Sequence, residues 1–294
     1  MPKSSELIPV TEGIISYAQN FEDVILWRVL MDVKDGFYID VGANDPIEMS
    51  VTKWFYDQGW HGINMEPSEE YFRKICEARP RDINLQQGAG KKRGQLKFYE
   101  IPETGLSTTD GETASRHRTA GFRVEEKEIE IVPLKDVCEA YAQEHEIHFL
   151  KVDVEGSESD VLTGMDFQRF RPWILVVEAT LPNSTVLSVD WDPWVRSQDY
   201  DFTLFDGLNY YYVAKERAQA FGARLAVPAN IFDGFVQAST VQLTQQRDAL
   251  EQKLAQMTQT LEQMREEMKR CREECDETQM NDTGAFRLKG AILE

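Results

Sequence analysis

Carboxylates recur where apolar runs of this chain stop. Phe149-Leu150-Lys151-Val152 leads into Asp153-Val154-Glu155-Gly156-Ser157-Glu158, and Ile174-Leu175-Val176-Val177 ends in Glu178. If these runs are strands, Asp153, Glu155 and Glu178 converge above the middle of a sheet. Like charges repel, so the cluster is costly for a structural role alone. It suits a general base, or a pair of acids holding Mg²⁺. No third metal ligand is evident, so no metal is expected; Asp153 and Glu178 are the pair that would hold one. Glu158 sits where a helix-capping acid would. His117, in Ser115-Arg116-His117-Arg118, is a further candidate base, because imidazole titrates near neutral pH. Arg116 and Arg118 would bind an acidic acceptor group or pair with surplus carboxylates.

A second set has the types needed to hold a nucleoside-like cofactor. Phe37-Tyr38-Ile39-Asp40-Val41-Gly42-Ala43-Asn44-Asp45-Pro46 is an apolar run entering an acid and a glycine turn. Gly42 lets the backbone approach a ligand closely, and Asp40 and Asn44 offer polar atoms to it. Gly62-Ile63-Asn64-Met65-Glu66-Pro67 ends a second run in a carboxylate, placed to take both hydroxyls of a ribose. Asn84-Leu85-Gln86-Gln87-Gly88-Ala89-Gly90 ends a third run in small residues, and Gly88 and Ala89 would face a base. Gln19, in the polar segment Ser16–Asp23, joins the cofactor set; helix capping is the competing role of that segment. There is no G-x-G-x-x-G, which weakens a pyrophosphate-binding reading.

The elements that must position these residues alternate apolar runs with amphipathic stretches, as a βα sandwich with a largely parallel sheet does. The expected strands are Gly36–Val41, Gly62–Glu66, Ile83–Ala89, His148–Val154, Trp173–Ala179, Asp201–Asp206 and Tyr210–Val213. The expected helices are Asn20–Met31, Ser50–Gln58, Ser68–Arg79, Leu134–Glu144 and Ser157–Met165. Only Gly207-Leu208-Asn209 joins the last two strands, too short for a parallel crossover, so they form an antiparallel hairpin. Ile101–Val124 is read as a lid, with Gly105, Gly111 and Gly121 allowing movement.

Composition divides the chain near Gly234. All six tryptophans and all eleven prolines lie upstream. Downstream, Val236, Leu243, Leu250, Met257, Met264 and Cys271 are seven apart, and Leu254, Leu261, Met268 and Cys275 form the other series. Their interleaving predicts a self-associating coiled coil over 235–280, followed by a loose tail over 281–294. The chain carries 32 Lys+Arg against 51 Asp+Glu, a net charge of −19. Most of it, −16, belongs to residues 1–234. Such acidity excludes nucleic acid as a partner. Four cysteines in 294 residues form no disulfide framework and point to a reducing cytoplasm. The N-terminus shows no apolar leader, and no run is long enough to insert into a membrane.

These motifs together resemble the FkbM family of methyltransferases that use S-adenosylmethionine. The residues that carry the resemblance are Ser16–Leu26 (SYAQNFEDVIL), Tyr38–Pro46 (YIDVGANDP), Gly59–Pro67 (GWHGINMEP), Phe149–Glu158 (FLKVDVEGSE), Phe170–Thr180 (FRPWILVVEAT) and Phe205–Asn209 (FDGLN). The resemblance implies a Rossmann-like, seven-stranded class I sheet with a terminal antiparallel hairpin. It implies S-adenosylmethionine as donor, O-methylation, and an acceptor sugar of a bacterial surface polysaccharide, lipopolysaccharide or glycoconjugate. By it, Asp40, Gly42 and Asn44 match the first cofactor motif, Glu66 the ribose acid, and Asp153-Val154-Glu155-Gly156 the motif after the fourth strand. The coiled coil falls outside the family domain; it is expected to oligomerise the enzyme and place it near a glycan-assembly partner, peripheral to the inner membrane. Two other classes fit parts of the sequence. One is an NAD-dependent Rossmann-type sugar oxidoreductase, the other a coiled-coil scaffold with a degenerate methyltransferase domain.

Overall fold

The computed structural model describes residues 13–102 and 104–290, with the backbone alone for 276–290. The N-terminal segment read above for a leader, and residues 291–294 of the expected tail, lie outside the described residues. In chain order the elements begin with β1 (Ile14–Ser16), α1 (Glu22–Leu30), β2 (Phe37–Val41), α2 (Lys53–Asp57), β3 (His61–Met65), α3 (Glu69–Ala78) and β4 (Ile83–Leu85). Then come β5 (Gly88–Ala89), β6 (Gly94–Glu100), α4 (Gly111–Thr119), β7 (Glu125–Val132), α5 (Leu134–Tyr141), β8 (Ile147–Val152), α6 (Glu158–Thr163) and β9 (Ile174–Glu178). The chain continues through α7 (Asp192–Ser197), β10 (Tyr200–Phe205), β11 (Asn209–Ala214), α8 (Ala218–Leu225), β12 (Phe235–Gln237) and α9 (Ala238–Gly290).

Seven strands form the main sheet in the order β10-β11-β9-β8-β2-β3-β4. Neighbours from β9 to β4 run parallel, while β11 is antiparallel to both β9 and β10. The hairpin read from the short 207–209 link is therefore present, with β11 inserted between β9 and β10.

Both faces of the sheet are covered, so its strands read as continuous apolar runs rather than alternating ones. Phe37, Ile39 and Val41 join one core with Val137 of α5, Leu162 of α6 and Val195 of α7. Tyr38, Phe149 and Val176 join the other with Leu26 of α1, Phe55 of α2 and Leu225 of α8. Full burial of each such side chain contributes about 1.5–3 kcal/mol.

The strand expected over Ile83–Ala89 divides in two. Ile83–Leu85 stays in the main sheet, and Gly88–Ala89 crosses to a separate three-stranded sheet of order β5-β7-β6. Gly88 tolerates this because a Cβ there would stand 2.6 Å from Ile131 Cδ1. The other two strands of the small sheet are new relative to the sequence reading. Gly94–Glu100 is exposed over its first four residues, and in β7 only Ile131 and Val132 are fully buried. Their charged composition hides the pattern.

Two ends of the domain also pair: β1 runs parallel to β12, with Ile14 opposite Phe235. Phe235–Gln237 is therefore a strand, not the start of a coiled coil, and the compact unit ends at Ala238. Helix α9 is a unit of its own. Its seam residues from Leu243 to Met268 are 54–72% exposed. The segment expected to be a loose tail is helical as far as Gly290; it contains no proline to stop it. Among the described residues no helix is long and apolar enough to cross a membrane.

Candidate active site

The carboxyl ends of β2, β3 and β8 open onto a cleft of about 400 Å³. Its floor is the turn after β2. There Gly42 and Ala43 donate to Met65 O at 3.0 and 3.2 Å, which splices the turn onto β3. Gly42 has φ +78, and a Cβ on it would fall 1.8 Å from Asp153 O. No other residue fits, because left-handed backbone and contact with the turn after β8 are required together. Asn44 follows at φ 52.

Glu66, on the cleft wall, links two loops. Its Oε2 accepts from Asn44 N at 2.9 Å and its Oε1 from Ser68 N at 2.8 Å. Burial pushes its carboxyl up to about 7, although those two backbone donors and Lys151 oppose the shift. Gln19, Gly42, Asn44, Gly88 and Ala89 also line the cleft, as do Ile129 and Ile131 from β7.

Asp40 does not line it. The residue is 1% exposed, accepts from Thr52 Oγ1 at 3.0 Å and pairs with Lys151 Nζ at 3.4 Å. In place of a position on the cleft wall, Asp40 holds Lys151, whose ammonium reaches Gly42 O. Asp40 lies one residue before the strand's last position, with its side chain turned under the turn instead of into it.

Lys151 is the organising cation that sequence reasoning missed. Its ammonium donates to Gly42 O at 2.8 Å and pairs with Asp40 and Asp153, each at 3.4 Å. Burial alone would lower its pKa, but the two carboxylates outweigh that and hold it above the usual range. A lysine inside the apolar run of a central strand was the available signal. Arg79, also missed, is 1% exposed at the end of α3. It donates to Pro46 O, Ser50 Oγ (2.9 Å) and Thr52 Oγ1 (3.2 Å), and pairs with Asp82 at 3.8 Å. It thereby braces the loop after β2. Its position just before Pro80 reads only as a helix end, so no signal marked it.

Asp153, Glu155 and Glu178 do converge. Each puts a carboxylate oxygen within 4.8 Å of the others. Glu155 is held at φ 57 by the turn into α6. Glu158 caps that turn, its Oε1 accepting from Val154 N at 3.2 Å and Gly156 N at 3.0 Å. Burial and the neighbouring carboxylates raise the Glu155 and Glu178 carboxyls well above the ordinary range. Asp153 and Glu155 line the cleft; Glu178 does not.

The expected lid is two parts. Residues 104–109 line the cleft and are pinned to the turn before α6, with Thr108 Oγ1 donating to Glu155 O at 2.7 Å and Thr109 Oγ1 lying 2.7 Å from Ser157 Oγ. The rest forms α4, which carries His117. That ring is buried, 5.6 Å edge-on from Phe122, with no hydrogen-bond partner for Nε2. Burial and Arg116 lower its pKa. His117 is not on the cleft wall, contrary to its expected role as a base: α4 turns the ring inward while Arg116 and Arg118 stay exposed, Arg118 pairing with Glu126.

The N-terminal motif, whose Gln19 lines the cleft, also meets the hairpin. Asn209 Nδ2 donates to Glu22 Oε1 at 2.8 Å, and Asn20 Nδ2 to Asp206 O at 3.2 Å. Burial raises the Glu22 carboxyl to about 7.

The family model described as a methyltransferase FkbM domain matches residues 40–202. No curated protein matches the chain. A solved fibrillarin/Nop5p complex is similar over 64% of this chain and 82% of its own, at 10% identity and a TM-score of 0.30. The matched span runs from the end of β2 through the acidic cluster into β10, more than half of the sequence, and the chain belongs to the FkbM methyltransferase family.

Proposed function

We propose that the protein is an S-adenosylmethionine-dependent O-methyltransferase acting on a sugar hydroxyl of a bacterial surface polysaccharide, lipopolysaccharide or other glycoconjugate. The observation that carries the donor is the Gly42 turn with the Glu66 carboxylate on one wall of the same cleft. A glycine that no side chain can replace, an acid able to accept from two ribose hydroxyls, and an apolar wall from Ile129 and Ile131 beside Gly88 suit an adenosyl group. S-adenosylmethionine would supply a methyl group on a sulfonium leaving group that needs no further activation. The chain's part is to align the acceptor oxygen and to take its proton. Asp153 is the cleft acid proposed to take it, since Glu155, whose carboxyl is raised well above the ordinary range, already holds a proton.

The cleft also bears on the acceptor class. Its carboxylates would repel an anionic acceptor and accept hydrogen bonds from a neutral polyhydroxylated one. The exposed Leu and Met series of α9 supports self-association of two or more copies, with a glycan-assembly partner at the membrane as the wider setting.

Transfer of a labelled methyl group from S-adenosylmethionine to cell-envelope glycan fractions tests this reading, with Glu66→Ala and Asp153→Asn alongside. Label should enter a glycan with the native protein and fall sharply in both variants. Absence of donor binding together with absence of transfer to every fraction would defeat it.

A further inference from the structure

The acids at the carboxyl ends of β8 and β9 are short of positive charge. Among the described residues lining the cleft, Lys151 is the only cation, and it is divided between Asp40 and Asp153. After burial, the neighbours that most raise the Glu178 carboxyl are Asp153, Glu155 and Glu158, all carboxylates. Glu178 is 7% exposed, yet its Oε2 is buried without a hydrogen-bond partner, and Glu155 Oε2 is in the same state. Buried acceptors of this kind need a donor, a proton or a metal ion.

The spacing admits a metal ion. Oxygens bound to one Mg²⁺ at about 2.0–2.1 Å stand about 3 Å apart when adjacent and about 4 Å apart when opposite, within reach of small side-chain rotations here. The three carboxylates lie within 4.8 Å of one another. The backbone of Glu155 is fixed to deliver the third of them, since Glu158 and Thr108 hold the turn on either side. Two of the three acids also line the cleft, which leaves part of an ion's shell open to water or a ligand, as Mg²⁺ prefers.

We propose that Asp153, Glu155 and Glu178 bind one divalent cation of the Mg²⁺ or Mn²⁺ class at the edge of the cleft. An ion there would polarise an acceptor hydroxyl and ease its loss of a proton. That role rests on the methyl-transfer reading; binding of the ion does not.

The test uses the full chain without donor or acceptor, titrated with Mn²⁺ and followed by the paramagnetic resonance signal of the free ion. One Mn²⁺ per chain should bind and be displaced by Mg²⁺. Glu155→Gln and Glu178→Gln should each weaken it by about tenfold or more, while Glu128→Gln, exposed on β7, should leave it unchanged. Thermal melts establish that each variant is folded. Absence of binding at millimolar Mn²⁺ in the native chain overturns the site, whatever the variants do. So does binding that survives undiminished in both glutamine variants. Binding as expected with no methyl transfer to any glycan would uphold the site and count against the proposed function alone.

Discussion

The Glu66 carboxyl, at about 7 in the ligand-free protein, makes donor affinity depend on pH. A ribose diol needs an ionised acceptor. The ionised fraction is about 0.09 at pH 6 and about 0.91 at pH 8, a factor of about ten, or about 1.4 kcal/mol. Affinity should therefore tighten about tenfold across that interval and be lost as pH falls through 7. The stability of the ligand-free fold moves the other way. A folded pKa raised above the unfolded 4.5 gives stability that is complete below 4.5 and is lost as pH rises toward 7, up to about 3 kcal/mol for this one group. Calorimetric titration of S-adenosylhomocysteine at several pH values, with melts of the free protein in the same buffers, measures both. Glu66→Gln should weaken binding at pH 8 by about 1.5–3 kcal/mol and remove Glu66's share of the pH slope. Groups on the ligand titrate identically against both proteins, so the difference isolates Glu66. Equal slopes in the two proteins would refute the assignment of Glu66 to the ribose.

Other outcomes follow from the same geometry. Gly42→Ala should lower stability by about 2–4 kcal/mol and abolish donor binding, because it combines left-handed strain with a backbone clash; a melt and a binding titration check it. Lys151→Met should cost about 3–5 kcal/mol by stranding buried Asp40, and Lys151→Met with Asp40→Asn should cost less than Lys151→Met alone in denaturant unfolding. A chain ending at Ala238 should keep the fold yet be monomeric by mass measurement, while the full chain is oligomeric. Ending it at Gly234 instead should lower the melting temperature, since that also removes β12 from β1.

The strands of the main sheet were legible because burial on both faces leaves unbroken apolar runs, and the hairpin because a three-residue link permits nothing else. Their acids could be placed at strand ends on the same grounds, and Asp153, Glu155 and Glu178 meet as that placement requires. Side-chain direction was not legible. Asp40 and Glu66 look equivalent as acids near strand tips, yet Asp40 turns beneath the floor and Glu66 lies on the wall. The small sheet escaped notice because Glu126, Glu128 and Glu130 interrupt β7 with solvated charge. Arg79 braces Pro46, Ser50 and Thr52, about thirty residues upstream, and no local pattern encodes that; Lys151 carried a signal, a charge inside an apolar run, but not its partner Asp40. His117 was offered as a base on residue type alone, and residue type does not tell that α4 buries this position between two exposed arginines.

Pairing of β1 with β12 also dictates an order of events during synthesis. Ile14–Ser16 leaves the ribosome early, and its partner Phe235–Gln237 is among the last parts of the domain to be made. At about 5–20 residues per second, the wait is on the order of ten to forty seconds. The contacts that tie Asn20 and Glu22 to the hairpin also await residues beyond Phe205. Throughout that interval the growing chain carries an unpaired strand edge, a template for joining other chains. The domain's first segment is thus among its last to be secured, and slowing of translation before β12 should raise the yield of aggregated nascent chains.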